Sequence, residues 1–348
     1  MAANHALLPG TRRDFSALAR RPPPNLFVIP SAMHPIALKR REVLRLFGAA
    51  ALTASTRRLT SAEASPVAPA TPPKPMLTRP IPATGEQLPV IGLGTWQTFD
   101  VDADEASRAP LSAVLREFAA LGGKLLDSSP MYGRSEEVAG DLMAAHGLRE
   151  KLFVATKVWI NGRAAGIEQM NASLQKLRAR PIDLMQVHNL VDTATHLDTL
   201  RGWKRDGLVR YLGVTHYTAS GAEAVAKLIE REAVDFIQIN YSVGERDAEQ
   251  RLLPLARERG VAVIANRPFA GGELLRSLRA KPLPTFAAEL GCTSWAQLLL
   301  KFVIAHPAMT VAIPATSKVE HLRDNVAAGT GRLPDETLRT RIAAAAVG

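Results

Sequence analysis

A single cysteine, Cys292, stands among 348 residues, and this scarcity alone removes two kinds of architecture. One thiol cannot close an intramolecular disulfide, and it has no cysteine partner with which to hold a metal. Its setting at 289–302, ELGCTSWAQLLLKF, reads as the approach to a buried helix, where cysteine acts as a small apolar side chain. Long apolar runs are also missing. Nothing approaches the about 18 uninterrupted apolar residues of a membrane-spanning helix, so no stable span is expected and the body should be soluble. No G-x-G-x-x-G opens a helix after a strand, which argues against an open dinucleotide-binding sheet. A basic face is lacking too. The net charge of +10 sits mostly in the first 75 residues, which carry 11 Lys/Arg against 3 Asp/Glu and leave 32 against 30 for the rest. A near-neutral body without clustered cations gives phosphate backbones little to bind, so no nucleic-acid partner is expected.

The basic segment has an order of its own. Lys39, Arg40 and Arg41 precede Val43-Leu44-Arg45, a short apolar run follows over 46–54, and Ala62-Glu63-Ala64 offers a small-residue cleavage site ahead of Ser65. This order resembles a twin-arginine export signal, with Val43 where that pattern usually has an aromatic. An earlier pair, Arg12-Arg13, is followed by a charged, Pro-rich stretch that cannot serve as the apolar segment, and Met33 would begin a more compact signal. Pro66, Pro69, Pro72, Pro73 and Pro75 make the next stretch an extended spacer. The expected organisation is a leader over 1–64, a Pro-rich linker over 65–75 and a single domain over 76–348. Export would place that domain in the periplasm, with the export machinery as a partner; a plain basic arm on a cytoplasmic protein is the alternative.

What the body has in quantity is apolar residues, 47% of the chain, enough for one large core. Short β-forming runs stand at 90–96, 124–129, 152–158, 183–189, 211–217, 235–241, 262–268 and 310–316. Helix-length amphipathic segments, such as 135–146, 196–206, 219–231 and 247–259, lie between them. Strict β/α alternation with apolar strands predicts a parallel sheet, and eight units over about 250 residues predict a closed (β/α)8 barrel. Residues 78–88, with Gly85 as the turn residue, predict an N-terminal β-hairpin across the barrel floor.

In such a barrel the chemistry gathers at the C-terminal ends of the strands. Those ends carry Asp127, Lys157, His188, Gln238, Asn266 and Arg267, with Tyr132 shortly after the second strand. Ionisable groups on buried strands are costly unless paired, so their collection at one rim calls for a joint explanation.

LLDSSPMYG, ATKVW and QVHN resemble the segments that supply the catalytic tetrad of the aldo-keto reductases, and Asp127 and Tyr132 keep that family's D-x4-Y spacing. VIGLGTW, GVTHY, IQINYS and IPATSKVEHLRDN are similar to further family segments, so the likeness runs from about residue 77 to 346. Carbonyl reduction needs a hydride on carbon and a proton on oxygen. A phenol with its ordinary pKa near 10 is a poor acid at pH 7. Cationic Lys157 beside Tyr132 would stabilise the phenolate and lower that pKa, Asp127 would keep the lysine charged, and His188 would orient the carbonyl. Hydride transfer lies outside side-chain chemistry, so a nicotinamide is implied.

The resemblance implies NADPH, with NADH possible, lying over the barrel mouth beside Thr95 and Trp96. Its carboxamide would meet Thr215, His216 and Gln238, where His216 replaces the family's usual Asn. Asn266 stands where many members stack an aromatic on the nicotinamide, so Phe269 is the candidate substitute, and Arg267 adjoins it. Around the cofactor's far end, Ala315 and His321 replace the usual Lys and Arg. Thr316, Ser317 and Lys318 remain as donors to a 2′-phosphate, with Asp324 and Asn325 near the adenine. Only a modest NADPH preference follows. Trp96, Trp159, Asn189 and Tyr217 are expected to line a pocket for a small carbonyl substrate. No metal site is expected. Two alternatives remain: a cofactor-binding regulatory barrel without robust turnover, and a cofactor-free hydrolase or isomerase using Asp127 and His188.

Overall fold

Apolar strands with a two-residue alternation leave one side chain set for the inside of a barrel and one for its helices, and this division organises the whole body. The computed structural model describes residues 75–348; the expected leader and nearly all of the expected linker lie outside the described residues. A hairpin of β1 (Thr78–Pro80) and β2 (Gln87–Pro89) comes first. Then follow β3 (Leu93–Gly94), α1 (Glu105–Ala120), β4 (Leu125–Asp127), α2 (Ser135–Ala145), β5 (Phe153–Val158), α3 (Arg163–Lys176), β6 (Ile182–His188) and α4 (Thr193–Arg205). The second half runs through β7 (Val209–His216), α5 (Ala222–Arg231), β8 (Phe236–Asn240), α6 (Leu252–Glu258), β9 (Ala262–Asn266), α7 (Glu273–Ser277), α8 (Trp295–Ile304), β10 (Val311–Ala312), α9 (Val319–Ala328) and α10 (Glu336–Val347).

Strands β3 to β10 pair in parallel and in chain order. The ring closes between the first and the last of them. Bridges join Ile91 to Ala312 and Gly94 to Ala315, and the Gly92 N–H donates to the Ala312 carbonyl at 2.8 Å. Glycine is required at this seam. A Cβ on Gly92 would lie 2.9 Å from the Leu125 carbonyl oxygen, and one on Gly94 would lie 3.0 Å from that of Ile313. The expected strand over 90–96 is accordingly reduced to Leu93–Gly94, flanked by bridges rather than a continuous ladder.

Inside the ring, Leu125, Phe153, Ala155, Leu184, Tyr211, Phe236, Ala262, Ile264, Val311 and Ile313 form a core of their own, plugged from below by Ile81 and Leu88 of the hairpin. Outward residues such as Leu126, Val154, Met185, Val214, Ile237 and Val263 pack against the helices in a second, larger core. The starts of α1, α8 and α10 are written in short polar side chains: Asp104, Ser294 and Asp335 each accept a backbone N–H three residues on. The helix expected over 247–259 divides into a 3-10 turn at Asp247–Glu249 and α6; Pro254 falls in the first turn of α6, where its missing N–H costs no intrahelical bond. Cys292 is buried, and burial pushes its thiol up to about 11, so it is an inert core residue. No helix among the described residues is long and apolar enough to cross a membrane.

Candidate active site

The same alternation that fills the barrel with apolar layers changes chemistry at its top. Above Phe153 and Ala155 on β5 comes Lys157; above Leu184 on β6 come Gln186 and His188; above Phe236 on β8 comes Gln238. Registers place Lys157 beside Gln186, His188 beside Thr215, and Thr215 beside Gln238. Asp127 ends β4 in this layer.

Lys157 is fully buried, and its Nζ donates to Asp127 Oδ2 at 2.6 Å and to the Ser128 carbonyl at 2.7 Å. Gln238 Nε2 and Gln186 Nε2 donate to the other Asp127 oxygen at 2.8 and 3.3 Å. The carboxylate therefore has partners on both oxygens. Burial pulls the Lys157 pKa down, but the Asp127 charge and Tyr132 outweigh it, and the net displacement is upward. The ammonium is kept. It lies 5.1 Å from the centre of the Tyr132 ring.

For Tyr132 the balance differs from the expected lowering. Burial of the phenol raises its pKa more than the Lys157 charge lowers it, and Asp127 adds to the rise, so the net shift is upward. The physical reason is first the loss of water around the phenol, and second the Asp127 charge, which offsets part of the field of Lys157. His188 is pushed down to about 3, first by burial and then by the charges of Lys157 and His216. Its ring is edge-on to Tyr132 at 6.1 Å between centroids, and Trp159 lies 6.3 Å away.

A cavity of about 900 Å³ opens over this layer. Of the residues named from the sequence, Asp127, Tyr132, His188, Thr95, Trp96, Thr215, Gln238, Asn266, Arg267, Phe269, Thr316, His321, Asp324, Asn325, Trp159, Asn189 and Tyr217 line it. Lys157 lies beneath. His216 does not line the cavity: one step beyond inward Thr215 on β7, it faces the helix side and borders a separate small pocket with Glu245 and Asp247. Ser317 and Lys318 are exposed outside the lining. Asp324 is engaged by Ser294 Oγ and Gln297 Nε2, both at 2.7 Å, which ties α9 to the start of α8. Several polar atoms of the wall, namely Asn189 Oδ1, Asn266 Oδ1 and Arg267 Nε, are buried without a hydrogen-bond partner among the described residues. Asn189 and Arg267 also hold positive φ, 53° and 50°, a conformation uncommon outside glycine and frequent at functional sites.

Among the residues of the site that were not named from the sequence, four stand next to its polar groups. Ser128 bonds Thr95 at 2.9 Å and Lys157 through its carbonyl; Ser129 Oγ reaches His188 Nδ1 at 3.2 Å; Met131 lies exposed on the cavity wall. Gln186 could have been found, since it falls two residues before His188 on the inward face. The serines and Met131 carry no such signal.

The family model described as the aldo/keto reductase family matches residues 90–344. Methylglyoxal reductase YeaE of Escherichia coli (strain K12) is 30% identical over 250 residues, which span 69% of this chain and 85% of that protein. An aldo/keto reductase from Klebsiella pneumoniae solved with NADP and acetate superposes with a TM-score of 0.65 at 27% identity, over 75% of this chain and 93% of the other. One from the same organism solved with NADPH gives 0.64 at 28% identity, over 77% and 93%.

Proposed function

The chain belongs to the aldo/keto reductase family, and from that premise we propose that it is an NADPH-dependent reductase of aldehydes and ketones with Tyr132 as the general acid. The observation that carries the proposal is the meeting of Tyr132, His188 and the Lys157–Asp127 pair on the floor of one large cavity. The cavity fits the cofactor: its volume suits a dinucleotide, and the unpartnered atoms of Asn266 and Arg267 are groups that a polar ligand would satisfy. Thr215, Gln238, Asn266 and Phe269 would hold the nicotinamide end, near Thr95 and Trp96. Arg267 would take the diphosphate, and Thr316, His321, Asp324 and Asn325 the adenosine end, with Ser317 and Lys318 outside it. When bound, the reduced nicotinamide supplies the hydride that side chains lack.

The chain's own residues supply the rest. Trp96, Met131, Trp159 and Tyr217, all exposed at the mouth, exclude water from a small carbonyl placed among them. Neutral His188 orients its oxygen. Tyr132, protonated at neutral pH, gives its phenolic proton to that oxygen, and Lys157 stabilises the phenolate left behind while Asp127 keeps the lysine charged. Replacing Tyr132 by Phe should leave fold and cofactor binding intact and lower kcat by about 100-fold or more, the loss expected for a general acid. Steady-state turnover on a panel of aldehydes, with cofactor binding measured separately, tests this; nearly unchanged kcat would remove Tyr132 from the role.

The leader over 1–64 is proposed as a twin-arginine export signal that delivers the folded domain to the periplasm. The support is the Arg40-Arg41 pair ahead of the apolar run. Arg40→Lys with Arg41→Lys keeps the charge and loses the guanidinium fork. The doubly substituted precursor should stay inside the cell, and equal periplasmic recovery of both forms would refute the export route.

A further inference from the structure

Ser129 lies between the two groups that handle the substrate oxygen. It is fully buried. Its carbonyl accepts the Tyr132 backbone N–H at 3.0 Å, its Oγ accepts the Met131 N–H at 3.4 Å, and the same Oγ stands 3.2 Å from His188 Nδ1. We propose that Ser129 is a positioning residue that holds His188 in the tautomer with its proton on Nε2, so that the ring presents a donor to the substrate oxygen. This rests on the carbonyl-reductase function proposed above.

The argument is one of counting protons. The Met131 N–H can only donate, so toward it Ser129 Oγ is an acceptor. The hydroxyl has one proton of its own, and the acceptor found for it is His188 Nδ1. If it donates there, Nδ1 offers its lone pair and the neutral ring must carry its proton on Nε2. The opposite tautomer would place N–H at Nδ1, and the serine proton would be stranded in a site with no exposed surface, the costly arrangement for a buried donor. Nε2 makes no hydrogen bond among the described residues, and His188 lines the cavity. Its donor is thus directed to whatever occupies the cavity.

The tautomer matters because the ring is not charged. With His188 held down to about 3 by burial and by the Lys157 and His216 charges, an imidazolium with donors on both nitrogens is not present near neutral pH. A ring in the wrong tautomer would present an acceptor to a carbonyl oxygen, two lone pairs facing each other.

The test is ¹⁵N NMR of histidine-labelled apo protein, with His188 assigned from the signal missing in His188→Gln, combined with kinetics of Ser129→Ala and Ser129→Thr. The wild-type ring should show the Nε2–H pattern throughout pH 6–9. Ser129→Ala should show a mixture of tautomers and lose about tenfold in kcat, with the cofactor Kd and melting temperature unchanged. Ser129→Thr, which keeps the hydroxyl, should recover both the pattern and most of the rate. An Nδ1–H pattern in the wild type, or an unchanged pattern and kcat in Ser129→Ala, overturns the proposal. The NMR arm needs no substrate. A wild type without turnover on any aldehyde would therefore count against the reductase function and leave the tautomer result to stand or fall by itself.

Discussion

At Tyr132 two effects oppose each other, and their balance decides how the site responds to pH. Burial disfavours the phenolate more than Lys157 favours it, so the pKa is displaced upward from 10. His188 sits at about 3. In its proposed role as general acid Tyr132 would work in the protonated form, so an upward shift extends the active plateau toward high pH and does not narrow it. His188 does not titrate between pH 5 and 9. The kcat for carbonyl reduction at saturating cofactor should accordingly vary less than about threefold from pH 6 to 9, with no inflection in the histidine range. A bell centred near neutrality would show that some other group donates the proton. At this scale Asp127, Lys157 and His188 were legible because a charge at the end of an apolar strand has few structural explanations. Ser129 was not, since serine is common everywhere and only its partners give it a task.

Elements show a different limit. The eight parallel strands announce themselves through apolar runs, yet β3 and β10 retain two residues each, because the ring closes by bridges across glycines. Gly92 is the test position. An alanine Cβ there would meet a backbone carbonyl at 2.9 Å, and the backbone of β4 cannot give way without disturbing Asp127 at its end. Gly92→Ala should destabilise by about 1–3 kcal/mol, the usual cost of overpacking. Gly202→Ala on α4 meets only a flexible arginine end at 3.8 Å and should stabilise by about 0.5–1 kcal/mol through lower chain entropy. Urea unfolding of both variants checks the contrast; equal effects would mean that the seam is not tightly packed. The division of the 247–259 segment belongs here too. Its apolar periodicity is continuous, but Pro254 favours a helix that begins just ahead of it, as α6 does.

For the whole molecule the open quantity is cofactor choice. Ser317 and Lys318 stand exposed outside the cavity, so any help they give a 2′-phosphate is screened by water and salt. Arg267 lies in the wall, and the proposed reading gives it the diphosphate that NADPH and NADH share. The expected outcome is a preference for NADPH of about tenfold, equivalent to about 1.4 kcal/mol, which shrinks as salt rises. Lys318→Ala should remove most of that preference while sparing NADH, whereas Arg267→Ala should weaken both cofactors alike. Titration by tryptophan quenching at low and high salt measures this. A preference above about a thousandfold that survives salt would point to a buried phosphate anchor elsewhere in the wall.

The sequence by itself determined the eight-fold β/α alternation, the parallel sheet, the floor hairpin and the gathering of Asp127, Tyr132, Lys157 and His188 at one rim. These depend on periodicity and on the cost of burying charge, both of which are properties of a local stretch. The tertiary structure alone decided the sign of the Tyr132 shift, the outward turn of His216 and the link from Ser129 to His188. Each of those is set by what lies across the barrel or one step along a strand. A pKa follows from the sum of burial and distant charges, a side chain's face follows from register against its neighbours, and a hydroxyl's role follows from the acceptor that folding brings within 3.2 Å.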